Sequence, residues 1–304
     1  MLMPAPAGRI RPVAPSPSLL TSASLLPDGT DWRSGLNWVP AIQPSYTWPY
    51  CQGGGTDKTP PNPRSRIQVQ PFMIYTPMTC NLPVDPEEAA MLVSDLTESH
   101  TASALASNLW LGTGGTTDDT ITPTLRRAAV DTSPTSGAWP IDAGVATLLA
   151  HYEEATGGDG GAMIHVPAQL APYVLGGGSG GARIAWPEGN IYRGPLNSTV
   201  VLGPGYPLGE SPDNSPLGHG PLMSQGPPQT YRGNPPDMAW IYITGPVEYA
   251  TGPIQLLPEV ERDRIPFRTN YYQVWAERAA IVRFDPPTCF ATLVTNPAPL
   301  GTFS

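Results

Sequence analysis

The chain reads as an α+β protein on three observations: two capped helical periods, a series of short apolar runs in the second half, and proline- and glycine-rich stretches between them. Forty prolines and thirty-two glycines make up nearly a quarter of the 304 residues, a composition that approaches that of disordered chains. The remaining residues argue for folding. Hydrophobic residues at 40%, eight tryptophans and twelve tyrosines, with only 13% charged, supply more burial than a disordered chain carries. A folded body with long ordered loops and arms accounts for both facts, and the length suits one large domain or two small ones.

Residues 1 to about 30 are Pro, Ser and Ala without a period. They read as an extended arm whose backbone finds partners on another surface. Aromatics then recur among prolines at Trp32, Trp38, Tyr46, Trp48 and Tyr50, ahead of the loop-like stretch CQGGGTDKTPPNPRSR. Arg66 to Tyr75 reads as a strand, with apolar residues alternating at Ile67 and Val69. Asp85 as N-cap, Pro86 at the first helical position and the acids Glu87 and Glu88 facing the dipole mark a helix start. Ala89, Leu92, Val93, Leu96, Leu105, Leu109 and Trp110 continue that helix to about residue 111, over a thin middle of Ser99, Thr101, Ala102 and Ser103 that suits close packing.

A second helix is predicted over 141–156, with Ile141, Val145, Leu148, Leu149 and Tyr152 on one face and Gly157-Gly158 as its stop. Beyond it, 161–166 reads as a buried strand, 167–175 as a short helix, and 182–186 with 191–193 as a hairpin around PEGN. Residues 198–202 and 239–244 are short apolar strands separated by a long Gly/Pro/Ser loop at 203–237. The last third, PVEYATGPIQLLPE, NYYQVWAERAAIVRFD and CFATLVT, reads as long strands, although Ala276–Ala280 suits a helix equally on propensity.

The formal charge of -9 argues against a general nucleic-acid binder, and the arginines form no basic run; the densest pair, Arg126-Arg127, reads as a solvated helix end or local ion pair. The single lysine, Lys58, points to a GC-rich coding genome and an actinobacterial host. Cys51, Cys80 and Cys289 are odd in number and far apart, so no disulfide framework follows and a reduced place of synthesis fits. His100, His151, His165 and His219 show no zinc-ligand spacing. The N-terminal stretch is broken by prolines and is not a convincing signal peptide, and no stretch reaches bilayer-spanning length. Gly177-Gly178-Ser179-Gly180-Gly181 matches G-x-S-x-G formally, but that elbow needs a strand before it and a helix after it, and here strand-like ARIAW follows. The acidic pairs Asp118-Asp119 and Glu153-Glu154 and the run Glu259–Asp263 read as solvated. No catalytic, cofactor or metal residue is expected.

Taken in order, these segments resemble the HK97-fold major capsid proteins of tailed phages. Residues 1–31 look like the N-arm, 32–80 contain the E-loop, and Pro86 to Leu111 look like the spine helix. GGAMIHVPAQLAPYVLGG, GPLNSTVVLGPGYP and MAWIYITGPVEYATGPIQLL are similar to successive steps of the axial domain, and NYYQVWAERAAIVRFDPPTCFATLVT to the closing part of the peripheral domain. The resemblance implies a peripheral domain at 81–138 and 245–304, an inserted axial domain at 139–244, and a chain that is not an enzyme.

It further implies self-assembly as hexamers and pentamers into the icosahedral shell of a virion, made in the bacterial host cytoplasm. A separate scaffolding protein is expected because the family's frequent charged helical region is missing. Portal and decoration proteins are the other implied partners, with packaged DNA met only non-specifically and no membrane. Assembly residues are expected at Trp38 and Trp48 and at the E-loop tip, where Gly53, Gly54 and Gly55 give freedom and Pro60 and Pro61 keep the chain extended. Lys58 lies at that tip, where some HK97-fold shells join a lysine to a neighbour's asparagine; an ordinary ion pair or a solvated amine is the plainer role. The rival readings are another virion component, an encapsulin-type shell and a serine hydrolase acting through Ser179.

Overall fold

The computed structural model describes residues 18–38, 66–81, 86–112, 123–135, 138–158, 161–176, 183–203, 238–257 and 271–295. In chain order the elements open with α1 (Leu19–Ser22), β1 (Ser24–Leu25), β2 (Leu36–Trp38), β3 (Ile67–Val69), β4 (Phe72–Asn81) and α2 (Pro86–Leu111). There follow α3 (Leu125–Ala128), β5 (Val130–Asp131), α4 (Ile141–Thr156), β6 (Met163–Pro167), α5 (Ala171–Gly176), β7 (Trp186–Glu188) and β8 (Ile191–Arg193). The series closes with β9 (Thr199–Gly203), β10 (Met238–Thr244), β11 (Glu248–Thr251), β12 (Gln255–Leu257), β13 (Tyr271–Arg283) and β14 (Phe290–Thr295).

The long helix α2 lies against a five-stranded sheet ordered β1-β11-β13-β12, in which β4 also pairs with β13. Ten antiparallel residue pairs join β4 to β13. Ala89 and Val93 bury against Val274 and Ala276, and Leu105, Ala106, Leu109 and Trp110 sink into the largest core cluster. Of the helix's polar middle, Thr101 is buried, Ala102 and Ser103 are partly buried and Ser99 is exposed. Thr97 and Thr101 are buried, and their hydroxyls donate to the carbonyls of Val93 and Thr97, each at 2.8 Å. That back-bonding gives each hydroxyl an acceptor within the helix. Arg278 of β13 ties the same stretch down, reaching Glu98 at 2.7 Å and Thr101 Oγ1 at 3.2 Å.

The second sheet has seven strands ordered β5-β14-β10-β6-β9-β8-β7, mostly antiparallel, with parallel pairs at β6–β9 and β14–β5. Helix α4 covers it with Val145, Leu148, Leu149 and Tyr152. Gly144 lets the helix approach β14 closely: a Cβ there would stand 2.5 Å from Val294 Cγ1. The helix ends where Gly157 turns left-handed (φ 73°), a conformation that glycine adopts without cost. The two sheets share one core, in which Trp110 of α2 meets Tyr242 of β10 edge-on at 4.4 Å.

Several expectations change. Residues 18–26 are not an arm seeking a foreign surface: Leu19 is buried in the shared core and β1 pairs in parallel with β11 of the same chain. Ala276–Ala280 is strand, because β13 is hydrogen-bonded on both edges there, to β4 and to β11 and β12. The hairpin's first strand starts at Trp186, later than the predicted 182–186. The closing stretch 245–304 is divided, with β11, β12 and β13 in the five-stranded sheet and β14 in the seven-stranded one. The 203–237 loop lies outside the described residues except for Gly203, where β9 ends.

Candidate assembly site

Of the residues expected to act in assembly, the described part of the chain contains Trp38. Gly53, Gly54, Gly55, Lys58, Pro60, Pro61 and Trp48 lie outside the described residues. Trp38 ends β2, which pairs antiparallel with β3 in the register Leu36–Val69, Asn37–Gln68 and Trp38–Ile67. This two-stranded ribbon is the base from which residues 39–65 leave and to which they return. Leu36 and Val69 bury one face of it against Leu26, Ala250 and Ile281, with Trp32 and Trp38 packed at the margin. Alternation along β2 and β3 puts those apolar side chains on one side and Asn37 and Gln68 on the other.

Polar contacts hold the ribbon's end. The indole Nε1 of Trp38 donates to Asp285 Oδ1 at 2.7 Å, and the Arg283 guanidinium stands 5.3 Å from the centre of the Trp38 ring. Arg283 Nε donates to Glu248 Oε2 at 2.6 Å, and its Nη2 reaches the same carboxylate oxygen. Indole, guanidinium and two carboxylates thus form a chain from β2 through β13 to β11. A cation over an indole face and a charged acceptor on its N–H reinforce each other in a half-buried setting. Trp32 and Trp38 therefore find packing partners within the chain, while Tyr46, Trp48 and Tyr50 lie outside the described residues. Sequence reasoning missed Arg283, Asp285 and Glu248, since Asp285 lies 247 positions from Trp38 and no local pattern signals such a pairing.

The chemical alternatives find no support in the geometry around them. Ser179 lies outside the described residues, but the elements flanking it are helix α5 before and strand β7 after, the reverse of the order a nucleophile elbow needs. His165 is fully buried and hydrogen-bonded to Thr244 Oγ1 at 2.9 Å; burial lowers its pKa to about 3. His151 stacks on Phe290 with ring centres 5.8 Å apart, His100 is exposed, and His219 lies outside the described residues. Cys289 is buried, its thiol pKa pushed up by desolvation. Glu153 and Glu154 are exposed on α4. Among the described residues, no three His, Cys, Asp or Glu side chains gather as a metal site, and no helix is long and apolar enough to cross a membrane.

No protein-family model and no curated protein matches the chain. Solved structures do. The capsid of an empty GTA particle superposes with a TM-score of 0.55 at 13% identity, over 97% of this chain and 96% of that one. A chain from Mycobacterium phage Ogopogo matches at 0.55 and 12%, over the same shares, and one from Gordonia phage Cozz at 0.54 and 12%, over 97% and 92%. Across nearly its whole length the chain has the fold of phage capsid proteins, the HK97-like α+β arrangement that the segment order resembles.

Proposed function

We propose that this chain is the major subunit of an icosahedral shell enclosing a phage genome, assembled from hexamers and pentamers. The observation that carries the reading is the extent of the structural likeness, which takes in 97% of this chain and 96% of a GTA capsid chain. In this reading the five-stranded sheet with α2 is the peripheral domain, the seven-stranded sheet with α4 is the axial domain, and residues 39–65 are the E-loop on the β2–β3 base. The loop tip at Gly53–Gly55, Lys58, Pro60 and Pro61, flanked by Trp48, reaches over a neighbouring subunit, while Trp38 fixes the loop's origin. The negative net charge suits an inner surface that packaged DNA leaves freely. The subunit is made in the bacterial host cytoplasm, assembles with a scaffolding protein and a portal, accepts decoration proteins, and ends in the virion.

Electron microscopy of the full chain expressed with the scaffolding partner tests this. Closed, uniform shells are expected. A population that stays monomeric, or that forms only tubes and tail-like rods, overturns the shell reading in favour of another virion component.

A further inference from the structure

The turn between β8 and β9 holds a leucine in a backbone conformation that leucine disfavours. Leu196 has φ 55° and ψ 32°, and Asn197 follows at φ 60°, left-handed backbone that asparagine tolerates and leucine avoids. Hydrogen bonds force the shape: Gly194 N donates to Ser198 O at 2.8 Å, and the amide and hydroxyl of Ser198 donate to Pro195 O at 3.1 and 2.8 Å. Gly194 belongs to the same device, since a Cβ there would stand 2.6 Å from Ser198 Oγ. Ser198 is fully buried, whereas Leu196 is 64% exposed and joins none of the apolar clusters among the described residues. A rigid turn thus lifts an apolar side chain into solvent at a cost in backbone strain. Strain that its surroundings over-determine collects at functional positions.

Strand register places this turn in the sheet. One row of paired residues crosses all but the outermost strand, through Tyr192, Val200, Ile164, Ile243, Phe290 and Val130. Leu196 stands just before β9, and Val130 closes the row at the far edge, so the two lie at the same end of the sheet on opposite flanks. Val130 is 51% exposed. It neighbours Phe290 in the register, and His151 of α4 stacks on the Phe290 ring with centres 5.8 Å apart, which makes a shallow apolar seat. The outermost strand β7 contains Pro187, whose missing N–H spoils that edge as a template for strand pairing. Copies that meet on this flank therefore meet through side chains. We propose that Leu196 of one copy seats against Val130 and Phe290 of the next, joining the seven-stranded sheets flank to flank around a ring; the proposal rests on the shell reading above. The occupant is a second copy because a head-to-tail contact closes a ring only when each subunit supplies both halves of it, and this chain carries both at one level of one sheet.

The test introduces Leu196→Cys and Val130→Cys together into the full chain, in a Cys51→Ser, Cys80→Ser background that keeps the buried Cys289, and mildly oxidises the assembled shells. Non-reducing gels are expected to show a ladder that climbs to whole rings from the double variant and no ladder from either single one. Closed shells of the double variant without a ladder overturn the proposal, as does a dimer from Leu196→Cys alone, which marks a two-fold contact between like turns. A second arm separates assembly from folding. Leu196→Gly relieves the left-handed backbone, so the free subunit is expected to unfold at the same or a higher urea concentration, while the yield of closed shells falls by about tenfold or more. An unchanged yield overturns the contact, and a destabilised subunit contradicts the strain from which it was inferred. Failure of the parent chain to form closed shells sinks the shell reading and this contact with it, while closed shells lacking the 130–196 link sink the contact alone.

Discussion

At the scale of single residues, His165 shows how a core polar group acquires a measurable consequence. Thr244 Oγ1 donates its proton to Gly245 O at 2.8 Å, so the 2.9 Å contact requires His165 Nε2 to carry the hydrogen and donate to that oxygen. The imidazole is neutral in the fold because burial lowers its pKa from 6.5 to about 3. The unfolded chain takes up a proton below pH 6.5, and the folded chain resists until about pH 3. Stability contributed by the neutral ring is present above pH 6.5 and lost as the pH falls through this window, at up to about 1.4 kcal/mol per pH unit. Urea midpoints at pH 7 and pH 4.5 should differ less for His165→Gln than for the parent chain. Equal differences would assign the acid sensitivity to other groups.

At the scale of elements, the Trp38 anchor predicts coupling between two residues that share no sequence neighbourhood. In a cycle built from Trp38→Phe and Asp285→Ala, the double variant should lose about 1 kcal/mol less than the sum of the singles, because both remove the same charge-assisted hydrogen bond. Additivity within about 0.3 kcal/mol would show that the bond contributes nothing to holding the ribbon. The same elements show what the sequence makes legible. Helices α2 and α4 were expected at 86–111 and 141–156 and occur at Pro86–Leu111 and Ile141–Thr156, because proline, first-turn acids and a stop glycine are local signals. Helices α1 and α3 have four residues each, too few for a period; in the structure the Thr124 hydroxyl caps α3, accepting from the Arg127 amide at 3.3 Å. In β13 the run Ala276-Glu277-Arg278-Ala279-Ala280 favours helix on propensity, and pairing along both edges overrides it. Of the anchor, the sequence singles out the aromatic at 38, while its partners Arg283 and Asp285 lie too far along the chain for any local pattern to show them.

For the whole molecule, the short stretch that opens the described chain ties the two sheets together. Residues 18–26 are a strap across both sheets: Leu19 enters the core shared by α2, β10 and β13, Leu26 enters the cluster beneath the β2–β3 ribbon, and β1 extends the five-stranded sheet. The amides of Ser24 and Leu26 donate to the carbonyls of Val247 and Tyr249, both at 2.9 Å. Full burial of a leucine stabilises by about 1.5–3 kcal/mol, so deleting both withdraws about 3–6 kcal/mol from a total that for a native protein is about 5–15 kcal/mol. A chain lacking residues 1–26 should therefore unfold at a much lower urea concentration, or collect in the insoluble fraction. Deleting residues 1–17 removes none of these contacts, so that chain should keep the parent's urea midpoint. Two outcomes contradict this account: a 1–26 deletion as stable as the parent, or a 1–17 deletion that unfolds as readily as the 1–26 deletion.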